Sequence, residues 1–263
     1  MKQKKYPKNF RLNHRFFRAF YLTSSIILLF IFSSCMTGDL ATDPWGAQLR
    51  IKGSGNLVSE EIDVPYYHSI SMNTAGLVTI TQGTKQHVQV TVDENIMEYL
   101  IIRVLDDELI IEVVNNVTLS DYELTIDVSM TDLESLVTNS AGSIQALNTF
   151  QEDEVMLMIN SAVNIYLDLE AGQLNSICSS AGNLYLSGYV TDHNVMLSSA
   201  GNLFGFELMT ETTSIILNSA GSAQVFVSKL LDVTINSIGS VYYRGNPDVI
   251  QQINSIGRVF SAN

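Results

Sequence analysis

Cysteine is almost missing from this chain of 263 residues, with Cys35 and Cys178 the only two. No disulfide can therefore tie folded segments together beyond residue 35, although an exported chain would be free to form one. Proline is also scarce, and after residue 50 it occurs only at Pro65 and Pro247. Catalytic signatures are also missing. There is no Gly-x-Ser-x-Gly elbow and no phosphate-binding loop. His68, His87 and His193 lie far apart, without His-x-x-x-His or Cys-x-x-Cys spacing, so they are expected at the surface and no metal or cofactor is called for. Nor is there an apolar run long enough to span a membrane, since Ala19 to Phe32 falls short of the roughly 20 residues required.

What is present begins with a basic leader. Lys2, Lys4, Lys5, Lys8, Arg11, Arg15 and Arg18 precede the apolar run with no acid among them, the layout of a signal peptide. Cleavage is favoured over a signal anchor. Phe32-Ser33-Ser34-Cys35 resembles a bacterial lipobox, with Phe32 where an aliphatic residue is usual, and it makes Cys35 the lipidation site. The expected division is a lipoprotein signal peptide over 1–34, a tether over 35–50 and one domain over 51–263. Removing the leader leaves 7 basic against 27 acidic residues, a formal charge of −20. So acidic a surface repels phosphate backbones and anionic headgroups, which excludes nucleic acid as a partner and leaves the lipid on Cys35 as the membrane attachment.

The second half of the chain repeats. Copies of Asn139-Ser140-Ala141-Gly142 centre on Ser140, Ser161, Ser180, Ser199, Ser219, Ser237 and Ser255, a nearly constant step. Regular recurrence at a period of roughly 20 residues means stacked supersecondary units. Two residues before each marker stand Thr138, Ile159, Cys178, Leu197, Leu217, Ile235 and Ile253. Four after it stand Ile144, Ile165, Leu184, Leu203, Ala223, Val241 and Val259. Both are core columns, which makes Cys178 a buried thiol and not a nucleophile. A unit this short has no room for a crossover helix but fits two or three short strands. The predicted fold is an all-β parallel β-solenoid, or β-helix, of about 18–21 residues per coil. At its corners Asn and Gly are expected to supply positive φ, and stacked Asn amides to hydrogen-bond along the axis.

The N-terminal part of the domain reads as strands at Val58–Val64, His68–Met72, Leu77–Gln82 and His87–Asp93, with a hairpin joining Leu100–Leu105 to Leu109–Val114. A helical turn capped by Asp93 or Glu94 is expected between them. Asn73-Thr74-Ala75-Gly76 looks like an early copy of the repeat, and the stretch between Thr74 and Ser140 leaves room for about three less regular units.

Gly53-Ser54-Gly55, Ile70-Ser71-Met72-Asn73-Thr74-Ala75-Gly76, Ile80-Thr81-Gln82-Gly83, the Leu109-Ile110-Ile111 strand and the Ser-Ala-Gly repeats together resemble the head GIN domain family of auto-transporter adhesins. The resemblance runs from about residue 51 to the end. It implies an exported protein of Bacteroidetes type, often a lipoprotein of the outer membrane at its surface or periplasmic face, with a right-handed β-helical fold. It brings no catalytic residues.

Two outward columns are candidate surfaces. Five after the marker, Tyr166, Tyr185, Phe204, Tyr242 and Phe260 form an aromatic strip interrupted by Gln224, either a platform for sugar rings or a ladder that stabilises the coils. Three before the marker, Met158, Ile177, Met196 and Ile216 form an apolar stripe. It is covered by the N-terminal half, or meets a second copy as a homo-oligomer, or marks a fault in the assumed alternation. Acids near the turns, among them Glu154, Asp192 and Asp232, lie too irregularly for a calcium ladder. Arg244 and Arg258 stand isolated. The function expected is a non-catalytic, adhesin-like binding or structural module facing a glycan or surface protein. The alternative is a polysaccharide-degrading or polysaccharide-binding β-helix protein.

Overall fold

The computed structural model describes residues 48–263, so the expected signal peptide, Cys35 and nearly all of the expected tether lie outside the described residues. The chain runs through β1 (Leu49–Lys52), β2 (Leu57–Glu61), β3 (Ser69–Met72), β4 (Leu77–Gln82), β5 (His87–Asp93), β6 (Leu100–Leu105), β7 (Glu108–Val113), β8 (Val117–Ser120) and β9 (Leu124–Met130). It continues through β10 (Ser135–Thr138), β11 (Gly142–Ala146), β12 (Phe150–Ile159), β13 (Val163–Cys178), β14 (Asn183–Leu197) and β15 (Asn202–Leu217). The last elements are β16 (Ser222–Ile235), β17 (Ser240–Arg244), β18 (Asp248–Ile253) and β19 (Arg258–Ser261).

From β10 onward each strand pairs in parallel with the strand one repeat later. The result is a β-solenoid of about seven turns. Its coils are more continuous than the sequence suggests, since β13 alone runs for 16 residues. Inside and outside alternate strictly along Val163–Ala171, then slip by one residue before Leu174. That slip is how an extended chain turns a corner while keeping apolar side chains inward. The two core columns are buried in every coil but the last, where Ile253 is exposed and Val259 half-exposed.

The repeated turn continues the ladder and does not interrupt it. The Asn160 N–H donates to Thr138 O, Ser179 to Ile159 O, Ser198 to Cys178 O and Asn218 to Leu197 O, all at 2.8–2.9 Å. Positive φ is not its requirement, contrary to expectation. Of the turn glycines only Gly142 has a positive φ, at +152°; Gly182, Gly201, Gly221, Gly239 and Gly257 do not, and the other positive-φ positions are held by Gly55, Gly188, Gly245 and four Asp or Asn residues. What the turn needs is space: a Cβ on Gly239 would come within 2.7 Å of Gly221 O, and one on Gly221 would strike Gly201 O.

The N-terminal strands correct two further expectations. No extra coils fill the interval from Thr74 to Ser140: β3 pairs directly with β10, and β4 with β11. The intervening chain instead builds the sealed end of the stack. There β7 and β9 pair in parallel with β3 and β4, and each is capped by an antiparallel partner, β6 on β7 and β5 on β9, with β2 beyond β5. The helical turn is a 3-10 turn, Met97–Tyr99, whose N-cap Ile96 offers no side-chain bond. Asp93 is used elsewhere. Its buried carboxylate accepts the N–H groups of Glu123 at 2.9 Å and Gly55 at 2.5 Å, and these donors hold it below the usual carboxylate pKa range.

His193 is also misplaced by the sequence reading. It is buried in the inward column Val155, Leu174, His193, Thr213, Leu231. Ser176 Oγ lies 2.9 Å from its Nε2, and burial pushes its pKa down to about 3. Cys178 is buried and free, with burial raising its thiol pKa.

Candidate functional site

The aromatic column forms where the strands after successive turns stack in register. Tyr166 pairs with Tyr185, Tyr185 with Phe204, Phe204 with Gln224, Gln224 with Tyr242 and Tyr242 with Phe260. The rings lie nearly parallel, at 4.6 Å for Tyr166 and Tyr185, 4.7 Å for Tyr185 and Phe204, and 5.2 Å for Tyr242 and Phe260. This geometry occupies the face of each ring with the next ring. Tyr185 therefore offers edges to solvent, and the column carries a ring-sized interruption at Gln224.

Beside that interruption the coils change length. The step from Ser199 to Ser219 is longer by one than the step before it, and the step on to Ser237 is shorter again by two. Where such a change falls within paired strands, the longer strand bulges. The register between β14 and β15 slips between Tyr185 and Ser187. Between β15 and β16 it slips after Gly205, so that Phe206, Glu207 and Leu208 have no partner in β16. Phe206 and Glu207 are thus pushed out of the wall. Gly188, at φ +105°, and Gly245, at φ +93°, flank them in conformations that side chains resist, and neither adds a side chain to fill the space.

Two adjoining hollows result, of about 390 and 510 Å³, within the size range of small-ligand sites. The first is lined by Tyr185, Ser187, Phe204 and Gln224, the second by Gly188, Met209, Phe226, Gly245 and Asn263. Phe206, Glu207 and Arg244 line both. The Arg244 guanidinium sits 4.2 Å over the Phe206 ring, so this arginine is not the isolated residue its sequence context suggested. Asn263 closes one end, donating from Nδ2 to Gly245 O and accepting the Gly245 N–H. Of the sequence-predicted residues, Tyr185 and Phe204 reach this groove; Tyr166, Tyr242 and Phe260 lie on the same column outside its lining. Phe206, Glu207 and Arg244 fall in none of the aligned columns.

The apolar stripe lies elsewhere on the solenoid. Val137, Met158, Ile177, Met196 and Ile216 stack in register, alternate with buried neighbours and are half-buried themselves. The alternation is therefore sound. Among the described residues the N-terminal strands do not cover the stripe; they lengthen its column, with Ser71 paired to Val137. Acids at the turns form no group of metal-ligand type among the described residues. Glu211 bonds Lys229 and Glu154 bonds Asn175.

Similar folds recur among solved structures. A protein of Bacteroides fragilis, described as a putative adhesin, superposes with a TM-score of 0.77 at 18% identity, covering 80% of this chain and 99% of that one. A putative lipid binding protein of Parabacteroides distasonis gives 0.65 at 20% identity, covering 81% and 100%. A putative adhesin of Parabacteroides merdae gives 0.62 at 18%, covering 81% and 99%. No curated protein matches the chain. The family model described as putative auto-transporter adhesin, head GIN domain, matches residues 66–247, and with that match spanning most of its length, this chain belongs to the head GIN domain family.

Proposed function

We propose that the protein is a non-catalytic, exported lipoprotein, anchored through Cys35, whose solenoid binds a glycan at the cell envelope. The observation that carries this is the groove, where an interrupted aromatic column meets an outward bulge bearing Phe206, Glu207 and Arg244. Aromatic walls with a few convergent polar groups are the ordinary make-up of a small-ligand site. Binding is favoured over cleavage because a glycosidase needs two carboxyl groups about 5–9.5 Å apart across the scissile bond. Among the residues lining this groove Glu207 bears the one acidic side chain.

A glycan array tests the reading. The full-length chain should bind a defined subset of sugars and Phe204→Ala should lose them with its melting midpoint little changed; no binding by the unaltered chain would remove the proposal. Protease treatment of intact cells should release the domain if it faces outward. The stripe of Met158, Ile177, Met196 and Ile216 is the proposed partner face for a second copy or a surface protein. Light scattering of the full-length chain checks the first of these, since a clean monomer eliminates it.

A further inference from the structure

The groove contains a cation that the fold does not consume. Of the 7 basic residues after the leader, Lys52, Arg103 and Lys229 each contact a carboxylate, while Arg50, Lys85, Arg244 and Arg258 form no ion pair among the described residues, and of these four Arg244 lines the groove. It is held by a ring instead. With the guanidinium face on Phe206, the cation is oriented by the ring quadrupole and its N–H donors point outward in the plane. That planar fork matches the two oxygens of a carboxylate.

The placement of Phe206 makes this a built feature. It is the coil-lengthening bulge of β15 that carries Phe206 out to meet Arg244, which stands at the end of β17. In the column beside it, Phe204 is followed by Gln224 where a fourth stacked ring would stand. Beyond Phe204 the wall is therefore polar, suited to sugar hydroxyls, as are Glu207 and Ser187.

Resting on the glycan reading above, we propose that the groove recognises an acidic sugar, its carboxylate paired with Arg244 and its ring seated along Phe204 and Gln224. The class comprises uronates and sialates, which share a carboxylate on a hydroxylated ring. Glu207 is the opposing charge, placed to accept sugar hydroxyl protons and to repel the carboxylate if it binds too close.

Calorimetric titration of the full-length chain with a galacturonate trimer, its methyl ester, sialyllactose and lactose tests the assignment. The expected result is that one acidic sugar binds at least tenfold more tightly than its neutral counterpart, the trimer against its ester or sialyllactose against lactose. The pair showing the preference identifies the source. Arg244→Gln should erase the preference, Arg244→Lys should keep part of it, and Glu207→Gln should strengthen the acidic ligand. Equal binding of acid and neutral forms, or a preference that survives Arg244→Gln, overturns the acidic assignment while leaving a neutral-sugar site. Absence of binding by all four sugars overturns the assignment, and with a blank glycan array it overturns the glycan reading too.

Discussion

Asn139 donates from Nδ2 to Oδ1 of Asn73 at 2.7 Å, although the two stand far apart along the chain. The bond joins the repeat's first copy to its second in space, and Asn160 adds the next rung by donating to Asn139 at 3.0 Å. Asn139 thus serves two bonds. Replacing it with Ala is expected to cost about 1–2 kcal/mol, read as a lower denaturation midpoint with an unchanged denaturant slope.

Turn glycines should fail substitution for want of room. A Cβ on Gly201 would strike Cys178 Sγ, so Gly201→Ala destabilises by about 1–3 kcal/mol, the usual range for overpacking. Cys178→Ala removes the obstructing sulfur. The double variant should therefore lose less stability than the two single losses added together, whereas strict additivity would refute the packing account.

One core position should improve on replacement. Thr138 Oγ1 is buried without a hydrogen-bond partner, in a column otherwise filled by Ile, Cys and Leu. Thr138→Val keeps the shape and removes the orphan hydroxyl, for an expected gain of about 1 kcal/mol or more, measured by chemical denaturation.

Acid sensitivity should trace to His193. Its folded pKa lies at about 3 against 6.5 for the free side chain, so the unfolded chain binds the proton that the folded chain refuses. Stability contributed by this residue is full above pH 6.5 and falls as the pH drops below it, by up to about 1.4 kcal/mol per pH unit. Asp93, with its lowered pKa, adds its own loss only at still lower pH. Denaturation midpoints between about pH 6.5 and 4.5 should therefore flatten in His193→Gln, which cannot titrate there.

Much of the solenoid was legible because its period is printed in small residues. The Asn before the marker foretold one amide ladder, and Asn236 and Asn254 extend it at 2.8 and 2.7 Å. Where Ser179 and Ser198 interrupt that ladder, a second one runs through Asn164, Asn183 and Asn202. It lies at the third position after the marker, a column left unaligned. The inward position six before the marker would likewise have revealed His193 among Val155, Leu174 and Leu231. The capped end was not legible, because its antiparallel strands carry no repeat, so the interval between the copies at Thr74 and Ser140 read as further coils. The groove left a faint trace in the uneven steps from Ser180 through Ser199 and Ser219 to Ser237. A length change says that something bulges, but only coordinates show that Phe206 goes outward and meets Arg244.

The two ends of the stack are unlike. Among the described residues, β18 and β19 pair only with the coil behind them, leaving Val249, Ile253, Ile256 and Phe260 exposed, while the opposite end is capped by the antiparallel strands β2, β5 and β6. At that end the outermost strands, β2 on β5 and β6 on β7, run antiparallel to their neighbours, so the edge they present differs in direction from the parallel rung of β18 and β19. Copies stacked end to end would therefore set a parallel rung against an antiparallel edge, a mismatch that works against continuous growth of the parallel stack into a fibre.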